Sequence, residues 1–388
     1  MRYFIVITIL SLLNSYVVIG LTSRFLSLKH PIAFTIIIII GLIIFQSVGL
    51  LEAPHVLLKI EQKLNLNGLV LFLTRASYLM IGVLSCLFFY SLASDIIRII
   101  LRLVLSASSS VYIYFDKFCL PVIILITLLT LILGIVVTIV GPVVQKVEIY
   151  LENLPASFDK FTIVQISDLH VGSTIKNSYV AKVVNIANAL KPNLIALTGD
   201  FVDGRVKDLK DDVAPLAQLK STHGKFFVTG NHEYYSGAEE WINEFSNLGI
   251  NTLSNEHVLL TNDNEHIILA GVTDYSTINK KSKNASNPNQ AIAGAVPGLI
   301  KILLAHQPSS YIEAHKAGYD LQLSGHTHAG QYFPFTLLIR FFHRYYKGLN
   351  WHEGMWIYIN RGTGYWGPPL RIGAPAEITL IVLRGRPH

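Results

Sequence analysis

Four apolar stretches, roughly Phe4–Leu21, Ile32–Leu51, Leu69–Leu92 and Pro121–Gly141, dominate the first 141 residues of this 388-residue chain. Each approaches or exceeds the ~20 residues that cross a bilayer as a helix. The first is led by Arg2, but it lacks an A-x-A cleavage signal and three more spans follow it. It is therefore expected to be retained, giving four transmembrane helices rather than a signal peptide. Composition agrees: the chain is 51% hydrophobic and only 14% charged, against about 25% charged in soluble domains. Between spans three and four, Asp95, Arg98 and Arg102 recur at helical spacing on the otherwise apolar Asp95–Leu105. Two readings stay open there: a separate helix at headgroup level, or an extension of span three. Arg75, near one end of span three, is read as snorkelling. An even number of spans puts the N-terminus and the C-terminal region on one side of the bilayer. That side carries Arg2, Lys59, Lys63 and Lys146; the other carries Arg24, Lys29, Arg98, Arg102 and Lys117. This is no bias from which to read orientation.

Charge divides the chain near residue 147. Residues 1–147 carry ten Lys/Arg against four Asp/Glu, whereas residues 148–388 carry 21 of each. The basic excess thus lies beside the apolar runs, where anionic headgroups are the natural partner. The second region has no surplus of cations to match a phosphate backbone, so the pI of about 9.1 does not indicate nucleic-acid binding. Both cysteines, Cys86 and Cys119, fall in the first region, so the second has no disulfide framework and no Cys₄ zinc site. Twelve of the 14 histidines fall in the second region, a first hint of a metal site.

After Val147 strand-like apolar runs alternate with helical patterns, which predicts an α/β domain over 148–388 behind a membrane region over 1–147. Strands are expected at Phe161–Ile166, Leu194–Thr198, Lys225–Thr229, Ile267–Gly271, Lys301–Ala305, Tyr319–Leu323, Trp356–Asn360 and Glu377–Leu383. A helix is expected at Tyr179–Leu190 and an exposed polar loop at Asn279–Pro297.

Five motifs share one layout, an apolar strand running into metal-capable side chains. "TIVQISDLH" ends in Asp168 and His170, "NLIALTGD" in Asp200, and "KFFVTGNHE" in Asn231, His232 and Glu233. "IKILLAHQP" ends in His306 and "YDLQLSGHTH" in His326 and His328. Strand tips are where α/β sheets present ligands. In D-x-H and H-x-H the two ligands, i and i+2, are expected to point the same way from extended backbone. Imidazole with carboxylate or amide oxygen suits borderline metals such as Mn, Fe, Zn, Co or Ni. Gly199, Gly230 and Gly325 precede the ligands and allow tight turns and close approach. Each motif is weak alone; together, in this order, chance is a poor explanation.

The set D-x-H, GD, GNH-[DE], H and GH-x-H resembles the calcineurin-like metallophosphoesterase superfamily over residues 160–385. The tail "NRGTGYWGPPLRIGAPAEITLIVL" resembles a membrane-associated bacterial branch that includes UDP-2,3-diacylglucosamine pyrophosphohydrolase-like enzymes of lipid A synthesis. The resemblance implies a two-sheet β-sandwich flanked by helices and two divalent ions. Asp168, His170, Asp200 and His328 would hold one ion. Asp200, Asn231, His306 and His326 would hold the other. His232 would contact phosphate and protonate the leaving oxygen, and Glu233 would orient it. Asp203 and Arg205, on the loop after Asp200, are read as solvated charges or as residues facing substrate, and Arg361 as either a phosphate contact or a structural turn. His223, His257, His266, His315, His343, His352 and His388 match no ligand motif.

The expected function is hydrolysis of a phosphodiester or pyrophosphate bond, in a lipid-linked substrate such as UDP-2,3-diacylglucosamine, by a hydroxide bridging the two ions. The location implied is multi-pass, in a bacterial inner membrane. Two rivals are a membrane sensor or scaffold with a vestigial site, and a transporter with a regulatory domain. Complete ligand sets oppose the first, and spans almost free of charge oppose the second.

Overall fold

The computed structural model describes residues 11–20, 32–50, 68–106, 108–278 and 284–385. Two compact units emerge, Met1–Val137 with Gly367–Ile372, and Thr138–Trp366 with Gly373–His388.

In the first unit, Leu69–Val104 and Ser110–Val140 are helices of 36 and 31 residues. Both are long and apolar enough to cross a membrane. Residues 11–20 are helical and Ile32–Leu50 forms a helix of 19 residues. The remainder of the first expected span, the last residue of the second and the loops beside them lie outside the described residues. Ile99, Leu103, Leu125, Leu129, Ile132 and Leu133 stand exposed along the two long helices, as lipid-facing side chains would.

The long helices decide one open reading and correct one expectation. Asp95–Leu105 is no separate interfacial helix, because Leu69–Val104 runs through Asp95 unbroken. No glycine or proline interrupts it there, and Arg98 pairs with Asp95 one turn back at 3.3 Å. Lys117, expected in a loop before span four, lies with Asp116 inside the helix that begins at Ser110. Arg98 reaches Asp116 at 3.1 Å and Arg102 donates to Tyr112 Oη at 2.7 Å, so the polar stripe ties the two helices together. From the glycine-rich tail, the Arg371 N–H donates to Gly134 O at 3.2 Å.

Among the described residues of the second unit, twelve strands form two six-stranded sheets. One contains β1 (Val143–Leu151), β2 (Thr162–Ile166), β3 (Leu194–Leu197), β4 (Lys225–Phe227), β5 (Asn251–Thr252) and β12 (Glu377–Gly385). Its order is β1-β12-β2-β3-β4-β5. The other contains β6 (Glu256–Asn262), β7 (Glu265–Gly271), β8 (Lys301–Leu304), β9 (Leu321–Ser324), β10 (Gly348–His352) and β11 (Met355–Ile359). Its order is β10-β11-β9-β8-β7-β6. β2, β3 and β4 run parallel, as do β8 and β9. The C-terminal tips of β2, β3 and β4 therefore lie together, and so do those of β8 and β9. The strand at Val143 starts ahead of the expected boundary at residue 147 and pairs in parallel with β12. β5, β6 and β10 join the eight strands the pattern had located.

Strand periodicity sorts the core into layers. Ile163, Leu194, Ala196 and Phe226 meet Leu269, Ile302, Leu304 and Leu323 between the sheets. Their neighbours Val164, Ile195, Leu197 and Phe227 face the other way, onto the helix Asn177–Ala189 and onto Trp241 and Phe245 of Ala238–Asn247. Ala270, Leu303 and Ile357 pack outward beneath Tyr311–Lys316 and Pro288–Ala291. The result is a two-sheet sandwich with helices on both outer faces. Residues 279–283 of the expected loop lie outside the described residues, and its later part folds as the short helix Pro288–Ala291.

Candidate metal centre

Each ligand candidate lies at or just beyond the tip of a parallel strand. Asp168 and His170 follow β2, Asp200 follows β3, and Asn231 opens a short helix, Asn231–Ser236, after β4. His306 follows β8, and His326 and His328 follow β9. The sheets are stitched together directly beneath. Gln165, fully buried in β2, donates to Thr198 Oγ1 at 2.9 Å and across the sandwich to Ser324 O at 2.9 Å. The His326 N–H likewise crosses to the Asp168 carboxylate at 3.0 Å.

The D-x-H and H-x-H pairs are not extended. Asp168, His170, Asp200, His326 and His328 have φ of 53°, 52°, 55°, 69° and 48°. Left-handed backbone at a non-glycine residue costs on the order of 1–3 kcal/mol and clusters at functional sites. Tight left-handed turns, locked by Asp168 N–H to Gly199 O and His170 N–H to Asp200 O, bring the ligands together. Close approach explains two glycines. A Cβ on Gly325 would clash with Ser167 Oγ and Asp168 Oδ2, and one on Gly230 with Asp200 Oδ1.

Three groups result, each with its atoms within 4.8 Å: Asp168, His170 and His328; Asp200, His306 and His326; and His170, Asp203 and His232. In the third, one Asp203 oxygen takes both rings. Hydrogen bonds fix the imidazole tautomers. His170 Nδ1 donates to Asp203 Oδ1 at 2.9 Å and His306 Nδ1 to Thr198 O at 2.8 Å, leaving both Nε2 lone pairs free. His170 Nε2 then faces His328 Nε2 at 3.1 Å, and His306 Nε2 faces His326 Nδ1 at 3.2 Å. Asp168 Oδ1 lies 3.3 Å from His328 Nε2, and Asp200 Oδ2 lies 3.0 Å from His306 Nε2. Paired acceptor nitrogens beside a carboxylate are stable only around positive charge. Buried Asn231 Oδ1 has no hydrogen-bond partner, an orphan that a cation would satisfy. The donor set therefore fits divalent metal ions.

Electrostatics agree. Burial alone would raise the Asp168 and Asp200 carboxyls. The histidine charges outweigh it, His328 at Asp168 and His306 at Asp200, and hold both well below the usual range. Burial opposes a charged His306, yet Asp200 keeps its pKa well above normal. Burial, then His306, pushes His326 down to about 3, the neutral form a ligand needs. The site favours one positive charge beside each carboxylate.

His232 lies at the rim, its side chain 17% exposed, with Nε2 4.0 Å from Asp200 Oδ2. Its orienting partner is not Glu233, as expected, but Asp203. His232 Nδ1 donates to Asp203 Oδ1 at 2.7 Å, the same oxygen that takes His170. Asp203, though exposed on its loop, is thus more than a solvated charge: one oxygen holds two histidine rings. Glu233 instead accepts the Asp200, Phe201 and Gly230 N–H groups at 3.0, 2.7 and 2.6 Å, and so shapes the turn carrying Asp200. The signal that could have found Asp203 is its place one turn past Asp200 on the same loop. Arg361 pairs with buried Glu377, which also accepts from Tyr358, so its role is structural. Arg205 is exposed. Tyr235 and Trp366, both exposed, flank the His232 ring at centroid distances of 5.3 and 6.0 Å.

The profile of the calcineurin-like phosphoesterases matches residues 161–330. A bovine transmembrane protein with metallophosphoesterase domain is 35% identical over 275 residues, 68% of this chain and 62% of that protein. An uncharacterized metallophosphoesterase of Helicobacter pylori is 40% identical over 246 residues, 62% of this chain and 64% of that protein. Both matches span less than two thirds of the relative's own length. A third relative, an uncharacterized metallophosphoesterase of Campylobacter jejuni, is 30% identical over 305 residues, covering 78% of this chain and 79% of that protein. A match of that extent, added to the profile, settles what the order of the ligands suggested: this chain belongs to the calcineurin-like phosphoesterase family.

Proposed function

We propose that the chain is a membrane-anchored phosphoesterase that hydrolyses a phosphodiester or pyrophosphate bond of a lipid-linked substrate with two divalent ions of the Mn, Fe or Zn kind. The observation that carries this reading is the pair of facing imidazole couples, each beside a carboxylate, with the orphaned Asn231 Oδ1 among them. One ion would be held by Asp168, His170, Asp200 and His328, the other by Asp200, Asn231, His306 and His326. Bound there, such ions would supply Lewis acidity, drawing charge from the phosphoryl oxygens and acidifying water at neutral pH.

The chain's own residues do the rest. Asp203 Oδ1 holds the His232 ring by Nδ1 and so presents Nε2 as the proton-bearing face. Burial lowers the His232 pKa, but Asp200 and Asp203 outweigh it and push it up to about 10. His232 is therefore protonated at neutral pH and can give a proton to the leaving oxygen. Glu233 keeps the Asp200 turn rigid, so the shared carboxylate does not shift when charge builds on phosphorus. Tyr235 and Trp366 give the approach an aromatic lining.

The lipid-linked substrate is supported by the two long apolar helices in the same chain. UDP-2,3-diacylglucosamine is the named candidate, through the tail's resemblance. Four crossings of a bacterial inner membrane complete the reading. The test is hydrolysis of an aryl phosphodiester with added Mn²⁺ by His232→Asn and Asp200→Asn proteins; near-wild-type rates in both would overturn it. A panel of lipid phosphates and UDP-2,3-diacylglucosamine on detergent-purified protein then selects the substrate. A one-sided reporter fused to the C-terminus finds the face.

A further inference from the structure

Between the ligands His326 and His328 the chain starts an excursion that returns to the same spot. Thr327 Oγ1 donates to Tyr346 O at 2.6 Å, closing the segment onto the residue between two ligands. Gln331 clamps its base to Trp366 through both backbone groups, at 3.0 and 2.9 Å. His343, from the same segment, has its ring 5.8 Å from that of His326. The excursion folds as two single turns, Phe335–Leu338 and Ile339–Phe341. Three of its large apolar side chains stand exposed: Leu337 is 52% exposed, Phe341 72% and Phe342 78%. Arg340, Arg344 and Lys347 alternate with them, and the chain has no Asp or Glu from Leu321 to His352. No described carboxylate lies within ion-pair distance of these three cations. Their charges rest over neighbouring rings, 5.2 Å from Phe341, 5.4 Å from Tyr345 and 5.6 Å from Tyr346.

We propose that the excursion from Gln331 to Tyr346, with Lys347 beside it, is a lipid-docking element that seats the metal centre on an anionic bilayer surface. Leu337, Phe341 and Phe342 would enter the boundary between headgroups and acyl chains, with Arg340, Arg344 and Lys347 on the anionic headgroups. Exposed aromatic and aliphatic side chains interleaved with unpaired cations match an interfacial element. A soluble protein partner would need acidic groups of its own set among apolar pockets. Charge outside the excursion argues the same way, because residues 148–388 carry 21 cations against 21 anions, and no general basic field explains three cations here. The chain also supplies the bilayer. The apolar helix ends at Val140 and β1 begins at Val143, a gap of about 10 Å at full extension. Because both ends of the excursion close on His326 and His328, docking would bring a headgroup phosphate to the ligands without lifting the lipid from its leaflet. This inference rests on the lipid-linked reading of the substrate and deepens it.

The test uses the full chain in nanodiscs of phosphatidylcholine with and without phosphatidylglycerol. Cys86 and Cys119 are buried and stay in place, and Phe341→Cys carries a bimane label. Docking predicts at least about twofold quenching of the label by lipids with a nitroxide high on the acyl chain, and little quenching by aqueous iodide. A label open to iodide and untouched by nitroxide lipids overturns the proposal. So does a label shielded from iodide without nitroxide quenching, the result for a second copy or a protein on this face. A second variant set, Arg340→Gln with Arg344→Gln, covers the case in which Phe341→Cys fails to fold. It should keep the turnover of a water-soluble aryl phosphodiester within about twofold and lose tenfold or more on a phosphodiester lipid in phosphatidylglycerol membranes. Equal losses on both substrates would overturn the docking role. Nitroxide quenching without hydrolysis of any lipid phosphoester would sink the lipid-substrate reading and leave docking standing.

Discussion

The two sheets bring different chemistry to one cradle. The tips of β2, β3 and β4 supply the carboxylates Asp168 and Asp200 and the amide Asn231, with a single imidazole, His170. The tips of β8 and β9 supply imidazoles alone, His306, His326 and His328. Neither tip is a plausible site by itself. The first would leave two buried carboxylates side by side with His170 as their one candidate ligand imidazole and His232 at the rim, 4.0 Å from Asp200. The second would leave three imidazoles with nothing to favour a cation. The groups around Asp168 and Asp200 each draw on both sheets, so the site exists only where the sandwich closes. That explains why the cross-sheet hydrogen bonds of Gln165 and His326 lie directly below it.

The difference can be broken in order of expected effect. Asp200→Asn removes the carboxylate proposed to serve both ions, and turnover of an aryl phosphodiester with Mn²⁺ should fall at least about 10³-fold. His328→Ala on the imidazole side should be more selective. It leaves Asp200, His306 and His326 together, so metal analysis should find one ion retained where Asp200→Asn retains almost none. Retention of both ions in His328→Ala would dissolve the two-group division.

His232→Asn should lower turnover by about 10²–10⁴-fold while leaving the metal content unchanged, because His232 lies outside the groups around Asp168 and Asp200. Asp203→Asn is milder, about 10–100-fold, the scale for an outer partner of a ligand histidine. It also carries a sign. Asp203 helps to raise the His232 pKa to about 10. Removing its charge lowers that pKa, so the alkaline limb of the rate profile should move to lower pH. A limb that stays in place, or moves up, would remove Asp203 from this role. Arg361→Met should change turnover least. It strips the partner of buried Glu377, so the loss, about 3–5 kcal/mol, belongs in the thermal midpoint.

How far the site was legible follows the same line. The seven candidate ligands could be read because each follows an apolar strand that announces itself locally. Their division between sheets could not, since β2 meets β9 only through side chains 159 positions apart, such as Gln165 to Ser324. The extended D-x-H geometry failed because left-handed turns are set by backbone bonds to a neighbouring loop, from Asp168 to Gly199 and from His170 to Asp200. Asp203 was misread for a similar reason: its partners, His170 and His232, lie 33 and 29 positions away. β1 was hidden because Val143–Leu151 directly follows an apolar helix and carries exposed polar side chains, and its partner β12 is at the far end of the chain. Charge spacing at Asp95–Arg102 left two readings, and only contacts with Asp116 and Tyr112 decide for one continuous helix.

The central claim is that carboxylates from one sheet and imidazoles from the other close around two divalent ions. Metal analysis of the full chain, purified in detergent, loaded with Mn²⁺ and freed of excess, tests it most directly. The account predicts two ions per chain, with a gain in stability of about 2.7 kcal/mol per site at a hundred times the Kd. Fewer than one ion per chain in protein that remains folded would contradict it.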